Sequence, residues 1–308
     1  MLIKPKPEFP RLLVMWQGSA LSQIWPLLLA VLALSSALTW AHRVYDLSWL
    51  DLTTTPFSVL GLTLSIFLVF RNNACYERWW EGRKLWGQLV NESRSYVRLV
   101  LTLIDGDDPE VRVMQRSLVY RAIAFVHGLR LHLRGQARWE ELGMFLPASE
   151  RQGLVTERNK PMAIVQTMAE RHRSALDRGW LDVYHLPLLE TINSAFLDIQ
   201  GACERIKNTP VPLSYTELTH RITALYVIAL PFGLLQTVHE FTPLVTTMVA
   251  YAFLGLDVIG SQLENPFEED PSDLPLSQLS RMIENDLRAR LGETDLRADL
   301  TPDRGLLL

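Results

Sequence analysis

The chain has 308 residues, 48% of them apolar, and a formal charge of −4. That balance carries no basic footprint for nucleic acid and otherwise suits a globular protein as well as a membrane one. The distribution separates the two. Charge is missing from Leu12 to Ala41, Leu52 to Phe70, Ile222 to Val238 and Phe241 to Leu256, whereas Arg71 to Arg221 is crowded with Arg, Glu, Asp and His.

A hydrocarbon core about 30 Å thick takes roughly 20 helical residues, so the first two stretches predict membrane spans near 22–42 and 54–72. Lys4, Lys6 and Arg11 ahead of the first could pass for a signal peptide. The run is too long for one and lacks a convincing small-x-small site, so an uncleaved span is expected. The second run opens on Thr53-Thr54-Thr55-Pro56, which predicts Thr55 as N-cap and Pro56 at the first helical position. Such a helix start could also attract an anion at an outer entrance; ordinary capping explains it equally, and the nearby Asp51 would favour cations. The run ends in one step at Arg71 and passes into Tyr76-Glu77-Arg78-Trp79-Trp80, as where a span meets the headgroups.

The insert 73–218 reads as helical. Apolar residues recur at helical spacing in Leu85–Ile104, in Leu118, Ala122, Phe125 and Leu129, and in Leu189, Ile192, Phe196, Ile199 and Cys203. Breaks are expected at 105–109, around Pro147, and at Pro210 and Pro212, giving four or five helices. Two further apolar stretches of 17 and 16 residues predict spans near 219–239 and 241–260. They form a hairpin turning at His239-Glu240, with Thr242-Pro243 as a helix start. The tail 264–308 is acidic and Pro-rich, then helical through Met282, Ile283 and Leu287, with a frayed end. Lys4, Lys6 and Arg11 precede the first span, Arg71, Arg78, Arg83 and Lys84 follow the second, and Arg205 and Lys207 precede the third, whereas the connection between the first two offers Arg43 with Asp46 and Asp51. The positive-inside rule then predicts four spans with both termini cytoplasmic. No repeat or flexible linker divides 1–308, so one unit is expected, and Cys75 and Cys203 are expected to be reduced.

Enzyme signatures are missing: no Gly-rich phosphate loop, G-x-S-x-G, H-E-x-x-H or paired C-x-x-C. His127 and His132 are badly spaced for a shared metal, and His172 sits between Arg171 and Arg173. On the second span Leu62, Ile66 and Phe70 drift only about 80° around a helix, with Ser58 and Ser65 beside them and Thr55 above. That face suits a narrow conduit with a dewetted constriction. In an all-apolar helix, packing accounts for the same spacing. Arg221 and Asp257 fall opposite each other across the hairpin and predict an ion pair at the inner leaflet, headgroup contact being the alternative. Asn265 to Asp273 gathers carboxylates, as an acidic solvated turn or a Ca²⁺ site would.

Taken jointly, Ser-Ile-Phe-Leu-Val-Phe-Arg-Asn-Asn at 65–73, the Tyr76–Trp80 block, Glu204-Arg205-Ile206-Lys207-Asn208-Thr209-Pro210 and Glu264-Asn265-Pro266-Phe267 resemble the bestrophin family, in its bacterial branch. The resemblance implies an all-α integral membrane protein of the bacterial inner membrane, assembled as a homopentameric ion channel. Its partners would be its own copies, lipids and permeant ions. Five second spans would form an apolar neck at Leu62, Ile66 and Phe70. A deeper cytoplasmic aperture would fall at Tyr184, with Trp180 and Leu181 as neighbouring candidates. Animal members hold Ca²⁺ after Asn-Pro-Phe, and Glu269, Asp270 and Asp273 match that clasp. Pro271-Ser272 interrupts the run and Glu268 replaces a Gly, which argues against calcium gating and for a chain without a cofactor. Chloride and a sodium-like cation both remain candidate ions. A secondary transporter would instead show internal repeats and midplane charges, and a membrane scaffold would carry no current.

Overall fold

The computed structural model describes residue 16, residues 18–46 and residues 52–302; among them the chain forms nine α-helices, two 3-10 helices and no strand. Lys4, Lys6, Arg11, Asp51 and the final six residues, which bear on orientation, the outer entrance and the frayed end, lie outside the described residues. Among the described residues three stretches are long and apolar enough to cross a membrane, Leu21–Tyr45, Thr54–Leu103 and Leu213–Glu264. Helices satisfy their own backbone groups in lipid, so segments of this length and composition are able to span a bilayer.

Two compact units divide the chain: Lys4–Trp79 with Pro210–Pro266, and Trp80–Thr209 with Phe267–Leu308. The apolar unit contains α1 (Leu21–Tyr45), the first half of α2 (Thr54–Leu103), α7 (Leu213–Val238) and α8 (Thr242–Glu264). α2 starts at Thr54, so Thr55 stands inside its first turn and does not cap it. The stretch 213–264 is not one rod. His239 takes φ 46°, in the left-handed region, and a 3-10 turn His239–Phe241 separates α7 from α8. α8 packs against α1 and α7, and Ile24, Leu28, Val31, Val227 and Ala250 form their shared core. Arg43 at the end of α1 pairs with Glu240 in that 3-10 turn, so the two lie at the same end of the unit.

The polar unit is built around α3 (Pro109–Leu133), against which α5 (Lys160–Asp177), α6 (Leu186–Asn208) and α9 (Leu276–Arg290) pack. Asp108 caps α3 by accepting the Glu110 amide at 2.8 Å, and Pro109 enters its first turn. From Arg121 to Leu131 every residue of α3 is buried, as expected of a helix enclosed on all sides. Its buried cations are neutralised locally: Arg121 by Glu150, and Arg130 by Glu141 at 2.5 Å. α4 (Ala148–Thr156) and a 3-10 turn Trp139–Met144 complete the unit. Leu118, Ala122, Phe125 and Leu129 on α3 are buried, as are Leu189, Ile192, Phe196, Ile199 and Cys203 on α6, the positions chosen by helical spacing. Both cysteines are free and buried. Burial pushes the Cys203 thiol up to about 12, which keeps it an unreactive core side chain.

Candidate functional site

α2 carries two faces. Gly61, Leu64, Leu68, Arg71 and Cys75 are buried at alternating spacings of three and four residues. At about 100° per residue they occupy roughly 80° of arc, and Leu62, Ile66 and Phe70 fill an arc centred about 180° away. Those three are 66%, 50% and 65% exposed. The chain therefore leaves the apolar face uncovered and anchors the opposite one. Thr63 and Ser65 turn their hydroxyls back to the carbonyls of Val59 and Gly61, so they add no free polar group to the face.

The anchor is polar where the apolar face ends. Arg71 directly follows Phe70 and is fully buried. Its Nη1 donates to Asp257 Oδ1 at 2.5 Å and its Nη2 to Ser261 Oγ at 2.7 Å, both acceptors on α8. The other Asp257 oxygen lies 2.5 Å from His220 Nδ1 on α7. Asn72 Nδ2 adds a bond to the Leu256 carbonyl at 3.0 Å. Gly260 is what lets the two helices approach: a Cβ there would collide with the Asn72 side-chain oxygen.

This corrects the ion pair expected between Arg221 and Asp257. Arg221 bonds Glu217, one turn back on its own exposed face, while Asp257 is taken by Arg71 and His220. Residues 220 and 221 stand about 100° apart on α7, so the helix cannot aim both side chains at α8. A buried carboxylate takes the nearest buried cation, and here that cation comes from α2.

Tyr184 lies in the turn between α5 and α6 and is 83% exposed. Asp182 Oδ1 accepts the Tyr184 amide at 2.8 Å, which sets the turn and presents Val183 and Tyr184 outward. Leu181 is buried and Trp180 is half-buried, covered by the Arg178 guanidinium 4.7 Å from its ring centre.

Glu269, Asp270 and Asp273 do not come together as a metal site. Glu269 accepts from Arg134 at 3.1 Å and from Gln136 at 2.9 Å. Arg134 also donates to the Phe267 carbonyl and to Ser277 Oγ. Asp273 turns inward, one oxygen accepting the Asp270 amide at 2.7 Å, while Asp270 faces solvent. Ca²⁺ needs about six to eight converging oxygens, and here a guanidinium already holds the loop, so these residues do not fit the ion. Among the described residues no group of three or more His, Cys, Asp or Glu is gathered for a metal. His127 and His132 go separately to Glu284 and Glu204. His172 is buried between Tyr96 and Glu190.

Burial pushes the Asp273 carboxyl up to about 7, partly offset by the Asp270 amide. The unfolded chain gives up this proton near 3.8. As pH rises between the two values only the unfolded state ionises, so this group lowers stability and the loss levels off above about 7. Asp273→Asn keeps the acceptor for Asp270 without the ionisation. Thermal unfolding should show the variant gaining on wild type by roughly 5–10 °C between about pH 5 and about pH 8. A constant difference across that range would show that Asp273 is ionised throughout.

The profile of the bacterial/fungal bestrophin family matches residues 1–289. The voltage-dependent anion channel-forming protein RSc3414 of Ralstonia nicotianae is 36% identical over 296 residues, covering 96% of both chains. The voltage-dependent anion channel-forming protein YneE of Escherichia coli K12 is 36% identical over 99% of this chain and 98% of its own. Among solved structures, a bacterial bestrophin homologue from Klebsiella pneumoniae superposes with a TM-score of 0.82 at 29% identity, over 86% of this chain and 97% of that one. Those names describe channels rather than enzymes. On the profile match and these relatives together, the chain belongs to the bacterial and fungal bestrophin family.

Proposed function

We propose that this protein is an ion channel of the bacterial inner membrane, a homopentamer whose neck is walled by α2 of each subunit. One observation carries the reading: Leu62, Ile66 and Phe70 form an apolar face that the chain leaves bare, directly opposite the seam that anchors the helix. A single helix cannot enclose water. Copies related by rotation can, and an apolar ring of that kind passes or blocks ions according to whether it stays wet. α1, α2, α7 and α8 are the four spans, both termini are cytoplasmic, and Tyr184 lines a second, cytoplasmic aperture. The names of the relatives favour anions as the permeant species. The channel works without a bound Ca²⁺, its acidic loop being held by Arg134.

Purified protein in planar bilayers tests this directly. Unitary currents are expected, and with a NaCl gradient the reversal potential should move toward the chloride equilibrium value. Movement toward the sodium value would keep the channel and reverse its selectivity. A folded, assembled protein without any unitary current would end the proposal.

A further inference from the structure

The apolar face ends at Phe70 and the buried anchor begins at Arg71, one residue later on the same helix. A helix is stiff over one residue, so whatever fixes Arg71 also fixes the bearing of Phe70. Within the described residues the charge that holds Arg71 is Asp257, which has no spare oxygen: Oδ1 goes to Arg71 and Oδ2 to His220. An ionised carboxylate only accepts, so His220 must donate from Nδ1. Asp257 thus joins side chains of α2 and α7 to α8 at this level, beside the bonds that Arg71 makes to Ser261 and Asn72 to the Leu256 carbonyl.

We infer that Asp257 is a positioning residue for the neck: shared between Arg71 and His220, it sets where Phe70 stands, and His220 makes that setting respond to protons. This rests on the channel reading above.

The chemistry follows from charge counting. With neutral imidazole the site holds one cation and one anion, and Arg71 is matched. Imidazole is the side chain that changes charge in the neutral range. Once His220 is protonated, two cations compete for one carboxylate. His220 is the mobile competitor, since its side chain is 44% exposed while Arg71 is fully buried. A buried guanidinium whose counter-charge is drawn away is costly among apolar helices. It is relieved by letting the end of α2 turn or move, which carries Phe70 with it.

Other charged and titratable groups flank the site. Cys75 and Arg78 on α2 and Glu264 on α8 stand along the same seam, and Arg78 Nε donates to the Glu264 carbonyl. On α7, Glu217 is bonded to Arg221, and Tyr215 donates to the Phe67 carbonyl. α1 brings His42 and Arg43 at the opposite end, where Arg43 meets Glu240.

The test is a pH series of single-channel recordings on wild type, His220→Gln and Asp257→Asn, with relative permeability measured for chloride and a larger monovalent anion. Wild-type conductance should rise at least about twofold between about pH 8 and about pH 5.5, following imidazole protonation. His220→Gln should be flat over that range. Asp257→Asn should be flat and should admit the larger anion more readily relative to chloride, because Phe70 is no longer held. A role confined to folding would alter yield without moving either the pH profile or the permeability ratio. If Asp257→Asn fails to assemble, the half-exposed His220→Gln decides alone. A conducting wild type whose pH response survives in His220→Gln overturns this inference and leaves the channel standing. A wild type with no current ends both.

Discussion

Replacing Leu62, Ile66 and Phe70 together by alanine is expected to raise unitary conductance several-fold and to weaken discrimination between small and large ions. The three positions are one turn apart, about 6 Å of rise between neighbours, so truncation widens the neck along its length rather than at one ring. An apolar constriction resists ions because water leaves it and the ion must shed hydration to pass. A wider lining with smaller side chains stays wet, and the barrier falls. The cost to the subunit itself is small, because these side chains are 50–66% exposed within it. Leu64 and Leu68, on the same helix and buried to 1% and 0%, supply the contrast. Alanine at either should cost about 2–5 kcal/mol of stability by opening a cavity, with the conductance of whatever assembles near wild type. Single-channel recording beside thermal unfolding separates the two sets. Identical currents from the triple variant and the wild type would remove these residues from the conduit.

Most of the helical architecture was legible because it is local. The buried face of α6 follows a 3.6-residue period, and Asp108-Pro109 and Thr242-Pro243 are helix starts readable from a few residues. Two further boundaries carry equally local signals. Asn159 caps α5 ahead of Pro161, and Gly179, at φ 74°, takes the chain out of it. Together they bound the turn that exposes Tyr184.

The pairing of Asp257 was a different problem. Charge count showed that a buried carboxylate needed a partner, and hairpin register offered Arg221. The true partner is 186 residues away in sequence, and nothing local to Asp257 names it. The usable signal sat on α2. Arg71 occupies the place of an apolar residue in the run Gly61, Leu64, Leu68, Arg71, Cys75, so its side chain had to point inward and required an anion there. As the positive edge of a span alone, Arg71 names no partner.

The same reasoning gives the largest stability effect in the polar unit. Glu284 on α9 is fully buried, and its carboxylate meets His127 at 3.1 Å, Arg281 at 3.4 Å, Arg288 at 3.5 Å and Arg297 at 3.6 Å. Burial would raise this carboxyl, but the His127 hydrogen bond and the surrounding guanidinium charge outweigh it and hold it below the usual carboxylate range. Burial also lowers His127, so the imidazole stays neutral and donates from Nε2. Glu284→Ala leaves three guanidinium groups without their shared counter-charge and His127 without its acceptor. Removing one partner of a buried ionic cluster costs about 3–5 kcal/mol, which lowers the unfolding midpoint by roughly 6–20 °C. Glu284→Gln keeps an acceptor for His127 and should lose less. Acid acts in the same direction: both groups titrate lower in the folded state, so the stability they contribute disappears as pH falls, first through the imidazole range and then through the carboxylate range. In Glu284→Ala the carboxylate part of that acid sensitivity should be gone. A midpoint within about 1 °C of wild type would mean that the guanidinium groups are solvated and the cluster holds α9 to α3 by packing alone.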